Sequence, residues 1–191
     1  MRRVEASEIL DWTSYDEIRP EYLAKMIELK QPRRVYVGEI LCFIFENRDT
    51  VIFQIQEMTR VERTVSTEAI AAEVEVYNEL VPRDHELSAT LMIEIPDQKS
   101  IRPQLDRLVG IDEHVHLDIG GEIVQATFDD KQFEEDRVSA VQYIRFPLGK
   151  ALAARFCDPE VTVDLRVDHP NYQAATRIEA EARLSLIADL A

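Results

Sequence analysis

The sequence predicts an α+β fold, with a mainly antiparallel sheet and helices packed on one face of it. Residues 87–95, 113–119 and 161–167 alternate between apolar and polar side chains, as half-buried strands do. From the first of these strands onward, the links between strands are mostly short and hairpin-like, which favours antiparallel pairing. The alternation also indicates that the second face of the sheet is exposed to water or lies against another sheet.

Length and charge limit the possible classes of protein. The 191 residues suit a single domain spanning 1–191, with an irregular N-terminal segment over about residues 1–18. The 37 Asp and Glu outnumber the 22 Lys and Arg, for a net charge of −15. Phosphate backbones and anionic membrane surfaces attract clustered cations, so we expect neither nucleic acid nor a membrane as a partner. No apolar run approaches ~18 residues and no signal core follows the N-terminus, so the chain is expected to be cytoplasmic.

The first elements are predicted from proline and from β-branched residues. Pro20 suits the first turn of a helix, and the acids and lysines that follow predict this helix over residues 21–30. Residues 34–45 are rich in Val, Ile, Tyr and Phe, which predicts one strand.

Two helices are predicted next. Asn47 is a suitable N-cap for a helix that continues to about Arg63. Ser66 or Thr67 caps a second helix, which Pro82 ends. The short link between them predicts an antiparallel pair.

The second half of the chain contains a hairpin signal. Residues 87–95 form a strand, and Gly110 ends a short helix that begins at Ser100. Gly120 and Gly121 then provide a two-residue turn between the strands 113–119 and 122–128.

The remaining elements follow the same rules. The acidic residues 129–136 predict a solvated loop or a short helix, residues 138–146 a strand, and residues 150–156 a helix. After the strand 161–167, the tail from Asn171 is predicted to be helical. Its predicted buried stripe consists of Leu184, Ile187, Ala188 and Leu190.

The two cysteines do not suggest a disulfide framework. Cys42 lies in an apolar run, where a buried and unreactive thiol is expected. A bridge from Cys42 to Cys157 stays open as an alternative.

Several blocks of sequence together resemble a known family. Residues 45–48 (Phe-Glu-Asn-Arg), 54–58 (Gln-Ile-Gln-Glu-Met) and 60–62 (Arg-Val-Glu) carry the resemblance. Further similar blocks are residues 15–20, 77–82, 86–90, 141–146 and 168–172. In this order they resemble the bacterial domain of unknown function family 3501, with its Phe-Glu-Asn motif, over nearly the whole chain.

The resemblance implies a setting but no chemistry. The family has no assigned activity, so it transfers no catalytic residue and leaves open whether the chain is an enzyme. It implies a role in bacterial redox or peroxide metabolism, with rubrerythrin-like or iron–sulfur redox proteins as partners.

His114 and His116 are the candidate metal ligands. Residues i and i+2 of a strand point to the same face, so the two imidazoles could bind Zn or Fe if a third ligand is near. The sequence offers His85, His169, Glu94 and Glu122 as third ligands. The alternative is a solvent-facing pair on an edge strand, and this alternative is favoured.

A dense polar set surrounds the predicted corner between strand and helix, and it is the candidate ionic or anion-binding site. It consists of Glu46, Asn47, Arg48, Glu57 and Arg60. Glu57 and Arg60 are spaced to pair on a helix, and an oriented carboxylate could act as a base, whereas the arginines could bind an anion. A structural network that holds the corner is the favoured alternative.

The chain lacks a phosphate-binding glycine loop, a nucleophile elbow and paired cysteine ligands. The leading hypothesis is therefore a non-catalytic accessory or binding protein, assembling as a homodimer or docking onto a redox enzyme. The alternative is a small metal-binding protein or metal-dependent enzyme that uses His114 and His116. A third hypothesis is a small-anion sensor built on Arg48 and Arg60.

Overall fold

The computed structural model describes residues 1–129 and 137–190. Within these ranges it has six α-helices and two antiparallel sheets, which confirms the predicted α+β class. The helices are α1 Trp12–Lys30, α2 Arg48–Glu62, α3 Thr67–Tyr77, α4 Ile101–Asp106, α5 Gly149–Cys157 and α6 Ala180–Ile187. The strands are β1 Arg34–Val37, β2 Leu41–Glu46, β3 Glu86–Ile93, β4 Val115–Ile119, β5 Glu122–Gln125, β6 Thr127–Phe128, β7 Val141–Pro147, β8 Val163–His169 and β9 Tyr172–Arg177.

The strands form one sheet in the order β1-β2-β3-β7-β6 and another in the order β5-β4-β8-β9. Alternate residues of both sheets, such as Phe43, Leu91, Leu117 and Leu165, belong to the same buried apolar cluster. The sheets therefore enclose one core. Of the two alternatives predicted for the second face of the sheet, water or another sheet, the structure has another sheet.

The two sheets meet at both of their edges. Between β5 and β6 only Ala126 intervenes, so almost one continuous strand passes from one sheet to the other. At the opposite edge, Tyr172 of β9 donates its hydroxyl to the carbonyl of Val37 at 2.8 Å, and Thr176 donates to the carbonyl of Tyr36 at 2.7 Å. Strands β9 and β1 are thus joined by side-chain hydrogen bonds and not by a backbone hydrogen-bond ladder.

Helices α2 and α3 cover the outer face of the first sheet. Val51 and Ile55 of α2 pack with Ile70 and Val74 of α3 in a second apolar cluster, against which Tyr143 of β7 is packed. Helices on one face of this sheet agree with the predicted architecture. In the described part of the chain, no helix has both the length and the apolar character required to cross a bilayer.

The N-terminal segment is more ordered than the sequence predicts. Helix α1 starts at Trp12, because the Asp11 side chain accepts hydrogen bonds from the amides of Thr13 and Ser14 at 3.0 and 3.1 Å. Pro20 lies inside this helix, where it removes one backbone donor, and does not mark its beginning. An irregular segment over residues 1–18 is therefore wrong for residues 12–18.

The single strand predicted over residues 34–45 is also wrong, since it is two strands. Gly38 adopts φ +67°, which favours glycine, and the chain turns there to pair β1 with β2. Residues typical of strands occur on both sides of the turn, so the sequence pattern does not reveal the turn.

The tail begins as a strand and not as a helix. Residues 172–177 pair with β8, and α6 begins only at Ala180. The predicted stripe of α6 is rotated, because Leu184 is 71 % exposed whereas Arg183 and Leu186 are buried. The predicted loop or short helix over residues 129–136 falls, from residue 130 onward, outside the described residues.

Candidate functional site

The corner between β2 and α2 is held by a reciprocal cap. Asn47 accepts a hydrogen bond from the amide of Thr50 at 3.0 Å, and the amide of Asn47 donates to the Thr50 hydroxyl at 2.9 Å. This satisfies two backbone donors that the helix start would leave unpaired. Asn47 therefore has the capping position that its sequence context predicts.

The charged residues of the predicted ionic set do not gather into one site. Arg48 pairs with Glu8, and Arg60 donates to Asp16 at 2.6 Å. Glu57 does not bond Arg60. All three instead bind side chains of the N-terminal segment, which none of the predicted pairings involved.

Glu57 is the most fully bonded of these carboxylates. Arg19 donates to both of its oxygens at 2.9 Å, and the Tyr15 hydroxyl donates to one of them at 2.7 Å. The Arg19 hydrogen bonds hold the pKa of Glu57 below its ordinary value, against the opposing effect of burial. Because these hydrogen bonds all come from α1, Glu57 connects α1 to α2.

Glu46 differs from the rest of the set. Its side chain is 2 % exposed at the end of β2, and Oε1 accepts a hydrogen bond from the Thr90 hydroxyl at 2.6 Å. Oε2 is buried and has no hydrogen-bond partner. A buried carboxylate oxygen without a donor is costly, so this atom requires an explanation.

Tyr143 lies near Glu46, and Gln54 and Tyr77 lie near Tyr143. Thr90 pairs across the ladder with Tyr143, whose hydroxyl lies 3.5 Å from the amide nitrogen of Gln54 on α2. Burial raises the pKa of Tyr143, and the negative charge of Glu46 raises it further. Burial also raises the pKa of Tyr77 to about 12, with Tyr143 contributing.

A small pocket of about 180 Å³ lies next to Tyr143, and neither Glu46 nor Thr90 lines it. In the sheet, Glu46 and Ser88 are a cross-strand pair, and so are Ser88 and Arg145. Ser88, Tyr143 and Arg145 all line the pocket. The Arg145 guanidinium forms an ion pair with Glu86 at 2.5 Å, which fixes the position of Arg145 in the pocket lining. Glu46, Thr90, Ser88, Tyr143 and Arg145 are named here the Glu46 site.

The two candidate metal ligands share one acceptor on the second sheet. His114 Nδ1 lies 3.1 Å and His116 Nε2 lies 3.0 Å from the same Oδ1 of Asp168. The hydrogen bond with His116 is the main cause that lowers the pKa of Asp168; burial opposes it, and the hydrogen bond with His114 lowers the pKa further. His114 precedes β4 and does not lie on it, but both imidazoles still point to the same face of the second sheet, where they contact Asp168.

The proposed third ligands are engaged elsewhere or lie apart. His169 Nε2 bonds the carbonyl of Val109 at 3.0 Å, and Glu122 pairs with Arg155. Over residues 1–129 and 137–190, no group of three or more His, Cys, Asp or Glu is arranged to hold a metal ion. Asp168 contacts one ring nitrogen of each imidazole, Nδ1 of His114 and Nε2 of His116, whereas His116 Nδ1 is buried without a hydrogen-bond partner.

Sequence reasoning included Glu46 but did not find its neighbours. Thr90 and Tyr143 lie 44 and 97 positions after Glu46 in the chain, on separate strands. Only the register of β2, β3 and β7 brings them together, and the sequence contains no signal for that register.

The geometry defines an α+β protein of two facing antiparallel sheets, with a buried polar site under α2. The sequence profile of the family described as Protein of unknown function (DUF3501) matches residues 3–190, so the chain belongs to this family. The chain is also similar to a novel protein of unknown function from Burkholderia pseudomallei K96243, known from a crystal structure. The two are 33 % identical over 100 % of each chain, with a TM-score of 0.93. No curated protein matches the chain.

Proposed function

We propose that the protein is a non-catalytic binding protein that holds a primary ammonium group at the Glu46 site. The observation that carries this proposal is the buried Oε2 of Glu46, which has no hydrogen-bond partner although Thr90 bonds the neighbouring oxygen. A carboxylate held in this way binds a charged donor more strongly than a neutral one.

The size of the pocket supports a small group over a whole cofactor. Its volume of about 180 Å³ is below the ~300–1,000 Å³ of most ligand sites. It is suited to the end of an amine or of a partner's lysine side chain. The net charge of −15 also favours a cationic ligand or a basic partner.

The test is a thermal-unfolding series with methylamine, ethanolamine and cadaverine as probes. A ligand that binds only the folded state raises the melting temperature. We expect a rise for the wild type that Glu46→Gln abolishes, with acetamide as the neutral comparison. If no amine raises the melting temperature, or if Glu46→Gln responds as the wild type does, the proposal is wrong.

Glu46→Gln also separates a binding role from a structural one. Because Oε2 of Glu46 lacks a donor, replacing the carboxylate by an amide should leave the free energy of unfolding unchanged or raise it. A carboxylate that served only the fold would instead cost stability when replaced. Glu57→Gln is the matched control, because it removes a carboxylate whose oxygens are all bonded.

The proposal extends to the setting that the family resemblance implies. We propose a bacterial, cytoplasmic accessory protein of redox or peroxide metabolism, built as a single domain. It assembles as a homodimer or docks onto a rubrerythrin-like or iron–sulfur protein. Sedimentation of the purified chain and co-purification with such a partner test these two modes of assembly separately.

The second candidate is a protein that binds Zn or Fe through His114 and His116. The observation that favours it is the convergence of both imidazoles on the carboxylate of Asp168. The absence of a metal-holding group among the described residues opposes it. Metal content distinguishes the two candidates.

A further inference from the structure

A groove of about 460 Å³ lies between α1, α2 and β1, away from the Glu46 site. Leu23 and Met26 of α1, Phe53 of α2 and Tyr36 of β1 provide its apolar walls. The volume is within the ~300–1,000 Å³ typical of sites for small organic ligands.

Two cations line the same groove. Lys30 Nζ lies 5.0 Å from the centre of the Phe53 ring, and Arg34 lines the groove from the start of β1. Neither side chain forms an ion pair with an acid in the part of the chain that the structure describes. The aromatic ring holds the Lys30 ammonium over an apolar surface, where it is partly removed from water.

Lys30 and Arg34 differ in this respect from the other cations near α1 and α2. The protein has 37 acidic residues, and the other cations that join α1 to α2 are paired, with Arg19 on Glu57 and Arg60 on Asp16. An apolar groove with two unpaired positive charges is complementary to a molecule with an apolar body and a negative end.

The rim of the groove carries apolar surface that a ligand would cover. Ile27 is 62 % exposed and Tyr36 is 47 % exposed, and both line the groove. Covering such side chains provides a hydrophobic contribution in addition to the charge pairing.

We propose that this groove binds a small organic carboxylate. Its apolar part packs between Met26, Leu23 and Phe53, and its carboxylate lies between Lys30 and Arg34. The site is independent of the Glu46 site and takes a ligand of opposite charge.

The experiment is calorimetric titration of the full chain with phenylacetate and octanoate, each compared with its neutral amide. We expect both carboxylates to bind and the amides to bind at least tenfold more weakly, because charge-assisted hydrogen bonds contribute ~1.5–3 kcal/mol. Arg34→Gln and Lys30→Gln should each weaken carboxylate binding roughly tenfold.

Lys25→Gln is the matched control, because Lys25 is an exposed cation on the same helix and does not line the groove. It changes the net charge equally and should bind as the wild type does. The proposal is overturned if no heat is observed, if the amides bind as well as the acids, or if Lys25→Gln weakens binding as much as Arg34→Gln. Glu46→Gln should retain carboxylate binding, so failure of this site and failure of the Glu46 site are distinguishable.

Discussion

Arg33 and Asp189 form an ion pair that is buried at both ends. Their exposed fractions are 1 % and 4 %, and 156 positions separate them in the sequence. Arg33 also donates to the carbonyl of Phe45 at 2.8 Å and to the hydroxyl of Ser185 at 3.0 Å. The guanidinium therefore fixes the segment around α6 to the first sheet.

Breaking this pair is expected to destabilise the fold strongly. Arg33→Met leaves Asp189 buried and unpaired, which typically costs ~3–5 kcal/mol of the free energy of unfolding. Urea unfolding measures the loss, and the double variant with Asp189→Leu should lose less than the sum of the single changes. Arg34→Met is the control, with a change within ~0.5 kcal/mol. A loss below ~1 kcal/mol for Arg33→Met would contradict this role.

The cap of α2 provides a second prediction. Asn47→Ala removes the acceptor for the amide of Thr50 and should lower the free energy of unfolding by ~1 kcal/mol. Ser66→Ala removes the corresponding cap of α3, which accepts from Ala69 at 3.1 Å, and should have a similar effect. Equilibrium unfolding of both variants measures the two losses. If Asn47→Ala left the free energy of unfolding unchanged but abolished amine binding at the Glu46 site, and Ser66→Ala did not, Asn47 would be a ligand contact.

Glu57 predicts a pH dependence. Its folded pKa is held below the ordinary value of 4.5 by Arg19, so the stability that it contributes is present above that value and is lost as the pH falls through the folded pKa. Glu57→Gln should cost about 2 kcal/mol at neutral pH. The difference from the wild type should shrink toward zero in acid, as unfolding at a series of pH values would measure. Glu62→Gln, at the exposed end of α2, should show no such convergence.

The two cysteines are free in the structure and should differ in reactivity. Cys157 is exposed, whereas Cys42 is buried and burial raises the pKa of its thiol, which disfavours the reactive thiolate. A colorimetric thiol reagent should therefore titrate one thiol in the native protein and two in denaturant. Cys157→Ser should remove the native reaction. A disulfide in the purified protein would show as no free thiol in either condition.

Metal content is the measurement that separates the two candidate functions. Elemental analysis of untagged protein after incubation with Zn or Fe and desalting should find well below one metal per chain if the binding-protein proposal is correct. Asp168→Asn should then leave both content and stability close to the wild type, because Asp168 is an exposed partner. One metal per chain that is lost from His114→Ala and from His116→Ala would replace the proposal with the metal-binding one.

Local signals predicted several elements correctly. The Asn47 and Ser66 caps and the turn at Gly120 and Gly121 are encoded by residues close together in the sequence, and the structure has them where expected. These features depend on side chains that bond their own backbone neighbours.

Other elements depend on distant partners. Residues 172–177 include two alanines, which suit a helix, but pairing with β8 makes them a strand. The ionic residues near α2 were found, but their partners Glu8, Asp16 and Arg19 were not, because spacing within one helix cannot show which neighbouring helix lies alongside.

The meeting of Tyr172 with the turn after β1 has a consequence for the evolution of the family. A Cβ atom on Gly38 would lie 2.2 Å from the Tyr172 hydroxyl, and that hydroxyl also accepts a hydrogen bond from the amide of Glu39 at 3.0 Å. A side chain at position 38 would therefore clash with Tyr172 and would also be strained by the positive φ of +67°. Glycine is therefore expected at position 38 in relatives that keep tyrosine at position 172.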